Sequence, residues 1–239
     1  MKVVLFCGGL GLRLRDATDV APKPLVTVGD RPILWHVMRY YAHHGHREFI
    51  LCLGYKGDAI RDYCRSADVV DWRITFADTG ALSSIGQRLF LAKQHLDGDE
   101  VFLANYADGL TDLHLPDLIN AFSRSGKVGV LLCTRPQLSY HFVRTGEDGT
   151  VVDLESAGQL GLRINGGYFV FRREIFDYLR DGEDLVDESF HRLMREGKLL
   201  GYPYDGFWRT MDTFKDKQAL DDLCTSGRAP WQVWKRSRS

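Results

Sequence analysis

Three groups of residues in this chain have types and spacing suited to holding charge: the first an anion, the other two a cation. The first lies in LFCGGLGLRLRDATDVAPKPL, Leu5 to Leu25. A short apolar run empties into Gly8, Gly9 and Gly11, then come Arg13 and Arg15, and further on Lys23 in a Lys-Pro pair. Glycine lets a backbone pass close to a ligand, and cations spread along a loop can fold over one polyanion. The stretch is not a P-loop, because no GK[ST] follows the glycines, and Leu14 stands where GxGxxG needs its third glycine. Two readings stand: a tight turn with solvated cations, or a phosphate loop. The Lys23–Pro24 pair favours the second, since proline restricts the backbone beside the lysine and lowers the entropy cost of placing its side chain.

The second candidate is Asp108 in YADG, an acid at the end of an apolar run and followed by glycine. That is a common metal-ligand position and also a common turn. The third is Asp212 in FWRTMDT, where either Asp212 or Thr213 could cap a following helix. Taken together, two carboxylates would hold Mg²⁺, which prefers oxygen ligands and phosphates, while Arg13 and Lys23 neutralise the remaining phosphate charge. Phosphoryl or nucleotidyl transfer needs such a set, because its catalysis is mainly positioning and charge stabilisation. Other conspicuous residues read more plainly. His43, His44 and His46 end a helix and suit its negative terminus. Trp35, Tyr40 and Tyr41 belong to core or interface. Phe207 and Trp208 either wall a pocket or pack a C-terminal helix, and APWQVWKR reads as a packed tail ending in solvated charge.

The elements that must position these residues alternate. Strands are expected at Val3–Phe6, Glu48–Leu53, Trp72–Ala77, Val101–Asn105 and Val128–Thr134. Helices are expected at Pro32–His44, Asp58–Arg65, Ser84–Gln94 (with Ser83 or Ser84 as N-cap) and Leu115–Arg124. That alternation predicts an α/β fold: a mostly parallel sheet with helices on both faces. Open sheets of this kind bind ligands at the carboxyl ends of their strands. After Pro136 the pattern changes to two strands around EDG, a strand in LRINGGYFVF, helices at Glu174–Arg180 and Asp187–Arg195, a strand at Lys198–Tyr202 and a last helix near Thr213. We expect one domain over residues 1–239, a nucleotide-binding core at 1–135 and an acceptor-binding portion at 136–239, with this C-terminal β/α extension laid over the sheet edge.

Composition narrows the classes. Of 239 residues, 44% are hydrophobic and 26% charged, so a packed core is feasible. A formal net charge of −1 argues against a general nucleic-acid or membrane-surface binder, so any anion site is local. Five widely spaced cysteines without a CxxC pair argue against a zinc or redox motif. The opening MKVVLFCGG lacks the apolar length of a signal peptide, and no run reaches membrane-spanning length. A reducing cytoplasm is the expected compartment.

The motifs GGLGLRL…KPL, PILWHVM…YYAHHG, FILCLGYKGDAI, DTG, YADG, INGGYFV, GFWRTMDTFKDK and GRAPW run nearly end to end. Jointly they resemble the sugar-1-phosphate nucleotidylyltransferase family, and its glucose-1-phosphate cytidylyltransferase branch most. The resemblance implies a Rossmann-like core and the reaction NTP + sugar 1-phosphate → NDP-sugar + pyrophosphate. It implies that Gly8, Gly9 and Gly11 lie against the nucleotide, Arg13 meets the leaving pyrophosphate and Lys23 meets the α-phosphate. By the same resemblance Gly86 faces the base, Asp108 and Asp212 bind Mg²⁺, and Glu155, Asn165 and Gly166 touch the acceptor. CTP is the implied donor, with UTP or dTTP as the alternative; a non-catalytic nucleotide-binding protein on this fold is the alternative of another class. A homo-oligomer fits the family.

The sequence departs from that family in three places. GLRL replaces the usual GTRL, so Leu12 offers no hydroxyl. Glu155-Ser156-Ala157 replaces the usual EKP, so a lysine that would meet the acceptor phosphate is missing; Arg135, Arg144 and Arg163 are possible substitutes. The segment between Cys64 and DTG is short. The acceptor is therefore a sugar 1-phosphate or another phosphorylated small molecule, a polyol or cyclitol among them.

Overall fold

Val3 to Phe6 form β1, and all four side chains are buried. Val3 and Leu5 join one apolar cluster while Val4 and Phe6 join another. A strand buried on both faces has to sit inside a sheet that is covered on both sides. The computed structural model describes residues 1–10, 21–66, 71–136, 141–156 and 161–235. Gly11, Leu12, Arg13 and Arg15 lie outside the described residues.

After β1 the chain makes a tight turn at Lys23–Leu25, then β2 (Thr27–Val28), β3 (Arg31–Pro32), helix α1 (Ile33–His43), β4 (Glu48–Leu53), α2 (Gly57–Ser66) and β5 (Arg73–Asp78). Next come α3 (Ile85–Ala92), β6 (Val101–Asn105), β7 (Gly109–Thr111), α4 (Leu115–Ser125) and β8 (Gly129–Thr134). The remainder holds β9 (His141–Thr145), β10 (Val151–Ser156), β11 (Ile164–Arg172), α5 (His191–Arg195), β12 (Leu199–Tyr204), β13 (Trp208–Thr210) and α6 (Phe214–Thr225). Seven strands make the main sheet in the order β12-β8-β11-β6-β1-β4-β5. β11 runs antiparallel to both of its neighbours, and the other pairings are parallel. The fold is thus the expected Rossmann-like, mostly parallel sheet.

Two helical layers cover it. On one face α1 buries Ile33, Leu34, Val37, Met38 and Tyr41, a helical stripe, beside Ile60 of α2, Leu118 and Phe122 of α4 and Leu220 of α6. The other face takes Leu89 and Ala92 of α3 and Leu193 of α5. Among the described residues no helix is long and apolar enough to cross a membrane.

Four details differ from the sequence reading. The C-terminal third does not simply lie over the sheet edge: β11 inserts between β6 and β8, because its buried run from Gly166 to Phe171 needs strands on both sides. The segment expected as a helix at Glu174–Arg180 forms only a tight turn at Arg173–Asp177. The helix expected at Asp187–Arg195 starts as a widened turn at Leu185–Phe190, capped by the Asp184 carboxylate. Finally, His44 and His46 do not place positive charge at the end of α1. Burial first, then His43 and His114, push His44 down to about 4; burial, then the N-terminal amine, does the same to His46. Both are neutral at pH 7.

The tail is anchored by aromatic contacts. Trp231 is buried, stacks on Phe207 at 5.5 Å between ring centroids, and donates its indole N–H to His36 Nδ1 at 3.3 Å. Phe207 therefore packs the C-terminal segment, and Trp208 donates to the Gly166 carbonyl at 2.8 Å.

Candidate active site

Asp108 and Asp212 are 104 positions apart in sequence, and a two-stranded ladder joins them. β7 begins one residue after Asp108, and β13 ends two residues before Asp212. The two strands pair antiparallel, Thr210 opposite Gly109, and the ladder continues with the Met211 N–H donating to the Asp108 carbonyl at 3.0 Å. Both acids thus leave the same end of the ribbon. Ala107, just before Asp108, is held at φ +65° with its N–H on the Asn105 side chain at 2.7 Å. A left-handed alanine costs about 1–2 kcal/mol; here it turns the chain sharply enough to aim the next side chain.

Thr213, not Asp212, caps α6. Its hydroxyl accepts from the Asp216 N–H and the Asp216 carboxylate reaches back to the Thr213 N–H. That reciprocal box leaves Asp212 to face Lys23. The Lys23 ammonium donates to Asp108 Oδ2 and to Asp212 Oδ1, each at 2.7 Å. Pro22 precedes a tight turn that buries Pro24, which fixes the Lys23 backbone. Burial opposes the ammonium's charge, but the two carboxylates outweigh it and hold the Lys23 pKa above its ordinary value.

This triad borders a cavity of about 570 Å³, within the range of about 300–1,000 Å³ usual for small-molecule sites. Gly9 and Leu10 follow β1, Tyr106 to Asp108 follow β6, and Ala81 to Ile85 follow β5 on its wall. The cavity therefore opens at the carboxyl ends of parallel strands, where this architecture places ligands.

The glycines divide by role. Gly9 lines the cavity, and an added Cβ there would have no atom of the described residues within 4 Å. Gly8 packs on its neighbours: a Cβ on it would lie 1.9 Å from the Arg88 guanidinium and 2.9 Å from the Gly54 nitrogen. Arg88 is the site residue that sequence reasoning missed. Its guanidinium is buried and donates to the Gly8 and Gly80 carbonyls at 3.0 and 2.8 Å and to the Thr79 hydroxyl at 2.8 Å. One side chain thus ties the loops after β1 and β5. The available signal was a cation among apolar residues on a helix, next to Leu89 and at i+3 from Ile85.

Gly86 packs rather than lines: a Cβ there would lie 2.3 Å from the Glu183 carbonyl oxygen. Its absence lets α3 seat the chain before Leu185, and that chain brings Asp184 to the cavity wall. Asn165 donates to the Tyr106 hydroxyl at 2.9 Å and accepts from the Gly167 N–H at 2.9 Å, so it meets the cavity through Tyr106. Burial raises the Tyr106 pKa to about 12, keeping its phenol protonated. Glu155 lies on the β9–β10 hairpin, 3.8 Å from Arg144, which bonds Asp153 at 2.8 Å. Arg135 and Arg163 both engage Asp205.

Comparison with known proteins gives the family. The model of the nucleotidyl transferase family matches residues 2–217, and the chain belongs to that family. Over 98% of its length it is 35% identical to the glucose-1-phosphate cytidylyltransferases of Salmonella typhimurium and Salmonella typhi, each covered in full. Within the family it stands with the sugar-1-phosphate nucleotidyltransferases. The solved structure of a UDP-glucose pyrophosphorylase complexed with UDP-glucose shares the fold, with a TM-score of 0.74, 14% identity and coverage of 95% of this chain and 99% of that one.

Proposed function

We propose that this chain transfers CMP from CTP to the phosphate of a sugar 1-phosphate, or of a related phosphorylated polyol or cyclitol, and releases pyrophosphate. The observation that carries the reading is one ammonium, Lys23, shared by Asp108 and Asp212 beside a cavity at the strand ends. CTP as donor is supported by the two cytidylyltransferase relatives.

The acceptor phosphate needs no general base. Its second pKa is near about 6, so it is already largely dianionic at neutral pH. The barrier is then repulsion between anions. Lys23 neutralises charge at the innermost phosphate, and Arg13 does so for the departing pyrophosphate. Arg88 and Gly8 hold the loops around the nucleotide. Asp108 and Asp212 present two oxygens to one cation, and that donor set fits Mg²⁺, which usually takes one or two carboxylates plus substrate phosphates. Bound there, Mg²⁺ would supply charge neutralisation for the attacked and departing phosphates. On the acceptor side Glu155, Asn165 and Gly166 are assigned to hydroxyls, and Ser156 can donate a hydrogen bond without the charge of a lysine.

Pyrophosphate release tests this, with CTP, UTP, dTTP, ATP and GTP each offered alongside glucose 1-phosphate and a panel of phosphorylated polyols. Release with CTP and at least one acceptor is expected. Faster release with another nucleotide overturns the donor, and no release with any pair makes the chain a non-catalytic binder.

A further inference from the structure

We propose that Lys23 is an exchangeable internal cation: it fills the Asp108–Asp212 pair when no nucleotide is bound, keeps free divalent ions out, and yields the pair when phosphates draw it away. The inference rests on the functional reading above and adds an order of events to it. Divalent metal enters with the nucleotide rather than before it.

The distances carry the argument. One nitrogen lies 2.7 Å from an oxygen of each acid, so it occupies the point where a cation shared by both carboxylates would sit. Mg²⁺ takes carboxylate oxygens at about 2.0–2.1 Å. An ammonium cannot remain between the same two oxygens, and two cations there would repel each other in a partly buried site. The surroundings allow the exchange. The Lys23 side chain is 15% exposed and borders the cavity. Its backbone is fixed by the turn at Lys23–Leu25 and by Pro24, so the ammonium can move by side-chain rotation while its anchor stays in place. A phosphate chain in the cavity offers anionic oxygens that replace the two carboxylates as its partners. Asp212 also accepts from the Thr210 hydroxyl at 3.2 Å, and Asp108 sits on the ladder, so both acids stay positioned when Lys23 leaves. By linkage, nucleotide then tightens metal binding and metal tightens nucleotide binding by the same factor.

Mn²⁺ is the probe, with free ion read by its EPR signal. Without nucleotide, Lys23→Met should bind Mn²⁺ about tenfold or more tightly than wild type, since a full positive charge is removed. Adding Asp108→Asn to that variant should abolish the gain. Lys23→Gln, which keeps a hydrogen-bond donor, serves as the second variant should the methionine protein not fold. As an independent readout, Mg²⁺ should raise the Tm of either Lys23 variant more than that of wild type. Equal Mn²⁺ affinity in wild type and both Lys23 variants overturns the exchange. Pyrophosphate release by wild type alongside that equality sinks the exchange and leaves the transferase reading intact. Tighter Mn²⁺ binding by the variants, with no pyrophosphate release by wild type on any substrate pair, keeps the exchange and sinks the transferase reading.

Discussion

Asp108 and Asp212 each carry half of one arrangement, and neither can substitute for the other, because Lys23 bonds a different oxygen on each side. Asp108→Asn and Asp212→Asn keep the shape and remove one charge. Loss of one preorganised charge-stabilising group costs about 10²–10³ in kcat, so pyrophosphate release should fall by that factor in each variant, with the fold intact by circular dichroism. The neighbouring glycines make a sharper pair. Gly8→Ala forces the Arg88 guanidinium from its carbonyls and should lower stability by about 1–3 kcal/mol in urea titration. Gly9→Ala meets no atom of the described residues and should change stability by less than about 1 kcal/mol. Equal effects would mean that Arg88 does not pack on Gly8. Sequence alone marks these two glycines identically, because a close neighbour 80 positions away leaves no local trace.

The elements deliver the acids. The β7–β13 ribbon is three residues on each side, short for an independent hairpin; the Tyr168 hydroxyl holds it from outside through the Gly109 carbonyl, and its own Thr111 hydroxyl ties it to the Phe207 carbonyl. At its exit the box of Thr213 and Asp216 starts α6. Thr213→Ala should cost about 1 kcal/mol of stability and reduce turnover far less than Asp212→Asn, since the carboxylate remains. Denaturation and pyrophosphate release on the same sample check both halves. The main strands and helices up to Thr134 were legible in the residues, Glu48–Leu53 and Val101–Asn105 to the residue, because buried parallel strands are unbroken apolar runs; the helices expected at Glu174–Arg180 and Asp187–Arg195 were not. The place of β11 inside the sheet was not, since an antiparallel insertion depends on which edge is vacant, not on the strand's own pattern.

On the scale of the whole molecule, acid should loosen the fold through histidines. His44 and His46 titrate at about 4 in the folded chain against an ordinary 6.5. A ring nitrogen of each is buried and finds no hydrogen-bond partner among the described residues. Above pH 6.5 both are neutral, folded or unfolded. Between 6.5 and 4 the unfolded chain takes up protons that the folded chain refuses, so stability falls as pH falls and levels off below 4. The Tm should drop by several degrees over that interval, and His44→Gln with His46→Gln should flatten the slope. Parallel slopes in the two proteins would place the loss elsewhere.

By itself the sequence determined the alternating elements and the sheet class, which follow from residue type and short-range periodicity, both local properties; its motifs carried the resemblance to the family and singled out Lys23, Asp108 and Asp212 as candidates. Only the tertiary structure decided that Lys23 stands between Asp108 and Asp212, that Thr213 rather than Asp212 caps α6, and that Gly8 serves Arg88. Each of those depends on atoms brought together by sheet order and strand register, and a chain written in one dimension does not contain them.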